Sequence, residues 1–138
     1  MLVAGVLSLI FISLSIIHWY WVFGGQVGLD IALPSTGKKQ AFSPGPFATA
    51  LVALLLMFAA WLCLAQAEIF GLQSSALTRF CVGGLAVVFA MRAIGDFRFV
   101  GIFKRIKGTP FSRMDTLLFT PLCLLISILC WWLLKRPI

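Results

Sequence analysis

Apolar positions in this chain fall into four long blocks, not into the alternating spacing of a half-buried strand or the one-sided stripe of a water-facing helix. Residues 2–22 contain no Asp, Glu, Lys or Arg, and about 20 such residues in a helix cross a hydrocarbon core of ~30 Å. The run closes on His18-Trp19-Tyr20-Trp21 ahead of Gly24-Gly25, an aromatic cluster of the kind found at a membrane boundary. At about 100° per residue Ser8, Ser15 and Trp19 share a face, with His18 on its flank, so this stripe is expected to face protein.

The remaining blocks predict spans over 47–67, 77–95 and 116–134. Residues 23–46 are a loop by their Gly, Pro, Ser and Lys content, stopped by Ser43-Pro44-Gly45-Pro46. Glu68, just past the second span, reads as an interfacial residue. In the third span only the twelve residues between Arg79 and Arg92 are uncharged. Twelve residues reach about 18 Å, short of the ~30 Å core, so one end carries charge into the membrane. Arg79 can snorkel outward, whereas Arg92 is followed by Ala93-Ile94-Gly95 and stays partly submerged. Gly83, Ala86, Ala90 and Ala93 form a small-residue face suited to close packing, with Arg92 and Asp96 roughly opposite it, toward a different neighbour. Before the last span, Ser112 or Asp115 can cap the helix; within it, Pro121 frees the Leu117 carbonyl and predicts a kink one turn in.

Composition agrees: 62% of the 138 residues are hydrophobic and 11% charged, far from the soluble balance. The expected architecture is all-α, with four transmembrane helices in a single bundle over 1–138, which leaves no room for a separate soluble domain. Residues 2–22 lack a basic n-region and a small-residue cleavage site, so they read as the first membrane helix and not as a signal peptide. Cys63, Cys81, Cys123 and Cys130 all lie in apolar runs without a C-x-x-C pair, which points to structural thiols and away from disulfide exchange. One histidine excludes a bis-histidine haem relay built from this chain alone, and no metal site is expected. No cofactor can be named.

The net charge of +7 would raise nucleic-acid binding in a soluble protein. Here the basic residues sit in loops between membrane spans, so topology and anionic headgroups account for them and no nucleic acid is expected. The stretch 97–113 interleaves Phe97, Phe99 and Phe103 with Arg98, Lys104 and Arg105 and reads as a segment lying in the headgroup layer. With four spans, Arg79, Lys135 and Arg136 fall on one side, and Lys38, Lys39, Arg92, Arg98, Lys104, Arg105, Lys107 and Arg113 on the other. Three against eight predicts loops 23–46 and 96–115 in the cytoplasm and both termini outside.

Alternate crossings also bring His18, Trp21, Arg92, Asp96, Lys104 and Asp115 to the same face. Arg92 and Asp96, spaced i and i+4, form a candidate ion pair, and a charge left unpaired at the helix centre costs about 2.5–3.5 kcal/mol on insertion scales. The plain alternatives are an interfacial His18 bonded to a carbonyl and an Asp115 that only caps a helix.

These motifs carry a resemblance. His18-Trp19-Tyr20-Trp21 with Gly24-Gly25, Arg92-Ala93-Ile94-Gly95-Asp96, Phe103-Lys104 with Phe111, and Asp115 with Pro121-Leu122 resemble those of a family of small bacterial integral membrane proteins known as a domain of unknown function. The resemblance implies four helices and membrane residence, and no reaction.

The leading expectation is a site for a small amphipathic or anionic ligand or lipid between the first, third and fourth spans. Arg92 would hold an anionic or carbonyl group, Asp96 would orient Arg92, His18 and Trp21 would line the wall, and Lys104 is a further ligand-binding candidate. Two alternatives come from other classes: an enzyme using His18 with Asp96 or Asp115 as acid and base on a lipophilic substrate, and an accessory subunit. A homo-oligomer through the Gly83, Ala86, Ala90, Ala93 face is the candidate assembly.

Overall fold

In the computed structural model, which describes residues 1–36 and 40–135, the backbone folds into the helices α1 (Leu2–Val22), α2 (Leu29–Ala32), α3 (Pro46–Gln66), α4 (Ala76–Ile94), α5 (Pro110–Met114) and α6 (Thr120–Lys135). A π-helical turn over Asp115–Phe119 joins α5 to α6, so Pro110–Lys135 is one rod. With α1, α3 and α4 it makes four helices long and apolar enough to cross a membrane. Leu9 is 67% exposed and Phe80 80%. Side chains of this kind facing outward fit acyl chains, and the protein is an integral membrane protein. Lys38, Lys39 and Arg136, which enter the charge count, lie outside the described residues.

Two hairpins build the bundle. Where α1 packs on α3, Ser8 Oγ donates to the Ala60 carbonyl at 3.0 Å and Ser15 Oγ to the Ala53 carbonyl at 2.8 Å, so the serine stripe faces protein. Where α4 packs on α6, Ser127 Oγ donates to the Ala86 carbonyl at 2.7 Å. Leu7, Phe11, Cys63, Val82, Ile126 and Cys130 fill the space between the hairpins. Buried Ala86, whose carbonyl accepts from Ser127, and half-buried Gly83 belong to the α4–α6 contact, a Cβ on Gly83 lying 3.7 Å from Leu134. These residues of the small-residue face pack against the chain's own last helix.

Local chemistry sets the ends. Pro46 occupies the first turn of α3, where a missing N–H costs nothing. Ser75 and Thr78 exchange capping bonds at the start of α4, and Thr78 Oγ1 also lies 3.3 Å from Gln66 Oε1, tying the α3–α4 connection. Arg79 turns outward and donates to the Leu134 carbonyl at 2.8 Å, capping α6 at its negative end.

The last rod departs from expectation at its start. Thr109, not Ser112 or Asp115, is the cap, accepting the Ser112 N–H on Oγ1 at 3.0 Å, and Pro110 follows it. The rod therefore begins six residues ahead of the expected 116, and Asp115 lies inside it. Pro121 directly follows a wide π turn, in which the Thr120 N–H bonds the Asp115 carbonyl. α2 packs against α5, which sets loops 23–46 and 96–115 on one membrane face, as alternate crossings require.

Candidate functional site

The charged centre of that face is Asp115, with 0% of its side chain exposed. Arg92 Nη2 reaches its Oδ1 at 3.0 Å and Lys104 Nζ its Oδ2 at 2.8 Å. Oδ2 also accepts from the Gly101 N–H at 2.9 Å and Thr120 Oγ1 at 3.2 Å. Lys104 spends its remaining donors on the Gly101 carbonyl at 3.2 Å and Thr116 Oγ1 at 2.7 Å. A carboxylate surrounded in this way is the counter-charge of a network. Two cations share one anion, and Arg92 Nη1 is buried without a hydrogen-bond partner among the described residues. Leaving such a donor unpaired costs about 1–3 kcal/mol.

A locked loop delivers Gly101 and Lys104 to this centre. α4 ends at Gly95, where φ is +96°. A Cβ there would run into the Val100 carbonyl oxygen and come within 2.8 Å of Gly101 Cα, while one on Gly101, at φ +88°, would come within 2.5 Å of Gly95 Cα. Two backbones cross at a distance only glycine permits. Asp96 holds the loop from inside, its Oδ1 accepting the N–H groups of Arg98 at 2.9 Å, Phe99 at 2.7 Å and Val100 at 3.0 Å. Burial pushes this carboxyl up, but the backbone donors of Arg98, Val100 and Phe99 outweigh it and hold Asp96 below the usual carboxylate range. The Ile102 N–H closes the loop on the Ala93 carbonyl at 2.9 Å.

Beside the network, a cleft of about 640 Å³ opens between the loop and the last rod. Lys104, Lys107, Arg113 and Thr116 form its polar side and Leu117, Pro121 and Leu124 its apolar side. Among the described residues Lys107 and Arg113 are in no ion pair. A second cleft, of about 900 Å³, lies between the end of α1, the α2 loop and the start of α3. His18 and Trp21 line it, in edge-to-face contact at 5.1 Å.

The sequence-derived residues therefore divide. Asp115 and Lys104 meet, with Arg92, in one network, whereas the Arg92–Asp96 ion pair does not form. The positive φ at Gly95 ends the helix before Asp96 and turns its carboxylate to the loop. Arg92 does not face a separate neighbour opposite the small residues; it reaches the same rod that covers them. His18 and Trp21 line a cleft in which neither aspartate takes part, so the pairing of His18 with Asp96 or Asp115 has no geometric support. One pocket walled by all five ligand candidates is replaced by two clefts.

A model for a family described as a protein of unknown function (DUF3995) matches residues 11–130. The chain belongs to the DUF3995 family. No curated protein and no solved structure matches it. The match takes in both clefts of this DUF3995 chain and the whole Arg92–Lys104–Asp115 network. Lys107, Arg113 and Thr116 were not singled out from sequence. The signal that marks them is Thr109-Pro110, a cap followed by a first-turn proline, which starts the rod early and puts Arg113 and Thr116 on its first two turns.

Proposed function

We propose that this protein binds an anionic amphiphile, such as an acidic lipid, at one membrane face, with the headgroup on Lys107 and Arg113 and the tail along Leu117, Pro121 and Leu124. One observation carries the reading: in a single cleft, two cations without ion-pair partners among the described residues adjoin an apolar wall on a membrane-spanning rod. Side chains of this kind near an anionic surface contribute about 1 kcal/mol each. The Asp115 network is the rigid floor, fixing Lys104 and the loop that carries Lys107. By the excess of basic residues the cleft faces the cytoplasm, with both termini outside, and the family resemblance favours a bacterial cytoplasmic membrane.

The test is native mass spectrometry of delipidated protein titrated with phosphatidylglycerol or zwitterionic phosphatidylcholine. The double variant Lys107→Gln/Arg113→Gln should lose about 2 kcal/mol, roughly 30-fold, of its preference for the anionic lipid. Arg98→Gln/Arg105→Gln, which removes two exposed charges outside the cleft lining, should keep most of it. Equal losses in the two variants would reduce the cleft to general surface charge and overturn the reading.

A further inference from the structure

The second cleft takes no part in the anion site, and its chemistry differs. Its charged residue among those described is Asp30, an acid, and its walls include Trp21, Leu29, Phe42 and Val52. Trp21 is fixed in place, its Nε1–H donating to the Val27 carbonyl at 3.0 Å. His18 Nδ1 lies 2.8 Å from the Leu14 carbonyl oxygen. A carbonyl only accepts, so Nδ1 carries the proton, and in the neutral ring the outer nitrogen, Nε2, holds a lone pair. No described residue bonds to Nε2.

A fixed aromatic wall beside an acceptor that no described residue satisfies, at the level where a membrane helix ends, selects a particular molecule. It is flat and apolar enough to partition into the bilayer, and it carries one hydroxyl donor. We infer that the His18 cleft is a binding site for an amphiphilic phenol, a class that includes quinol headgroups, whose O–H donates to His18 Nε2 while its ring lies against Trp21. The site is distinct from the anion cleft and stands or falls without it.

The chain's single histidine makes the test direct. Protein labelled with ¹⁵N-histidine, held in nanodiscs at pH 8, where an ordinary imidazole is neutral, is titrated with 4-pentylphenol and with 4-pentylanisole, which has no donor. The phenol should move the Nε2 resonance upfield in a saturable way. The ether should leave it in place and bind roughly tenfold more weakly. His18→Phe, which keeps a ring and loses the acceptor, should bind both probes alike. Equal effects of the two probes on the wild-type resonance, no effect of either, or an Nε2 that carries the proton before any probe is added would each overturn the assignment. The wild-type comparison decides even if the variant fails to fold.

Discussion

Lys104 meets Asp115 at 2.8 Å with 5% of the lysine side chain and none of the aspartate exposed. Such a pair is weak evidence for stability as it stands, because desolvation offsets the attraction, but removing one member strands a charge. Asp115→Asn leaves both Lys104 and Arg92 without a counter-ion and should cost about 3–5 kcal/mol, read from unfolding in mixed micelles with increasing dodecyl sulfate. The triple replacement Arg92→Met/Lys104→Met/Asp115→Leu should recover most of that stability. A neutral Asp115→Asn would show the network to be hydrated.

The crossing of Gly95 and Gly101 calls for a different substitution. Alanine at either position meets both a positive φ and opposing backbone, so each variant should lose at least about 1–3 kcal/mol. Because Gly101 donates directly to Asp115, Gly101→Ala should also deprotect the Gly101 amide in hydrogen exchange. Wild-type stability in both variants would mean that the two strands of the loop do not cross this closely.

Asp96 makes the loop pH-sensitive in a direction its hydrogen bonds fix. Its folded-state pKa lies below the unfolded value, so its contribution is complete above about pH 4 and fades as pH falls through the lower, folded value. Protection of the Arg98, Phe99 and Val100 amides, corrected for intrinsic exchange, should decline from pH 6 to pH 3. Asp96→Ala should lack that dependence and lose about 0.5–2 kcal/mol at neutral pH, the range of a removed helix cap. Protection that rises on acidification would contradict the arrangement.

Ser127 offers a smaller effect on the same scale. Its hydroxyl bridges α6 to the Ala86 carbonyl, and interhelical bonds of this kind in membranes average about 0.6 kcal/mol. Ser127→Ala should therefore lower stability far less than Asp115→Asn in the same titration. Equal losses would place the α4–α6 contact, and not the ion network, at the centre of the fold.

The spans were legible because lipid demands long uncharged runs, and the first, 2–22, matches α1 to the residue. The last, 116–134, lies within the observed rod, but its expected start falls six residues late because Ser112 and Asp115 look like the polar rim of a helix. A carboxylate inside a membrane rod becomes tolerable only when cations arrive from elsewhere, and Lys104 comes from a loop whose path no periodicity encodes. The Arg92–Asp96 spacing misled for a related reason. It satisfies the rule for neighbours on a continuous helix, yet Gly95 stops the helix between them. His18 and Trp21 were placed on the correct face, but the small helix α2 that roofs their cleft is four residues long and carries too little pattern to be seen in advance.

The π turn over Asp115–Phe119 amounts to one surplus residue wound into an otherwise regular rod. One residue is worth about 100° of azimuth, so the turn uncouples the two ends of the rod rotationally. At its start Asp115 is aimed at Lys104 of the loop and Arg92 of α4, and downstream Ile126, Ser127 and Cys130 keep their phase against the other helices. Excising a single residue from 116–119 would return the rod to ordinary winding and force a choice between the two alignments.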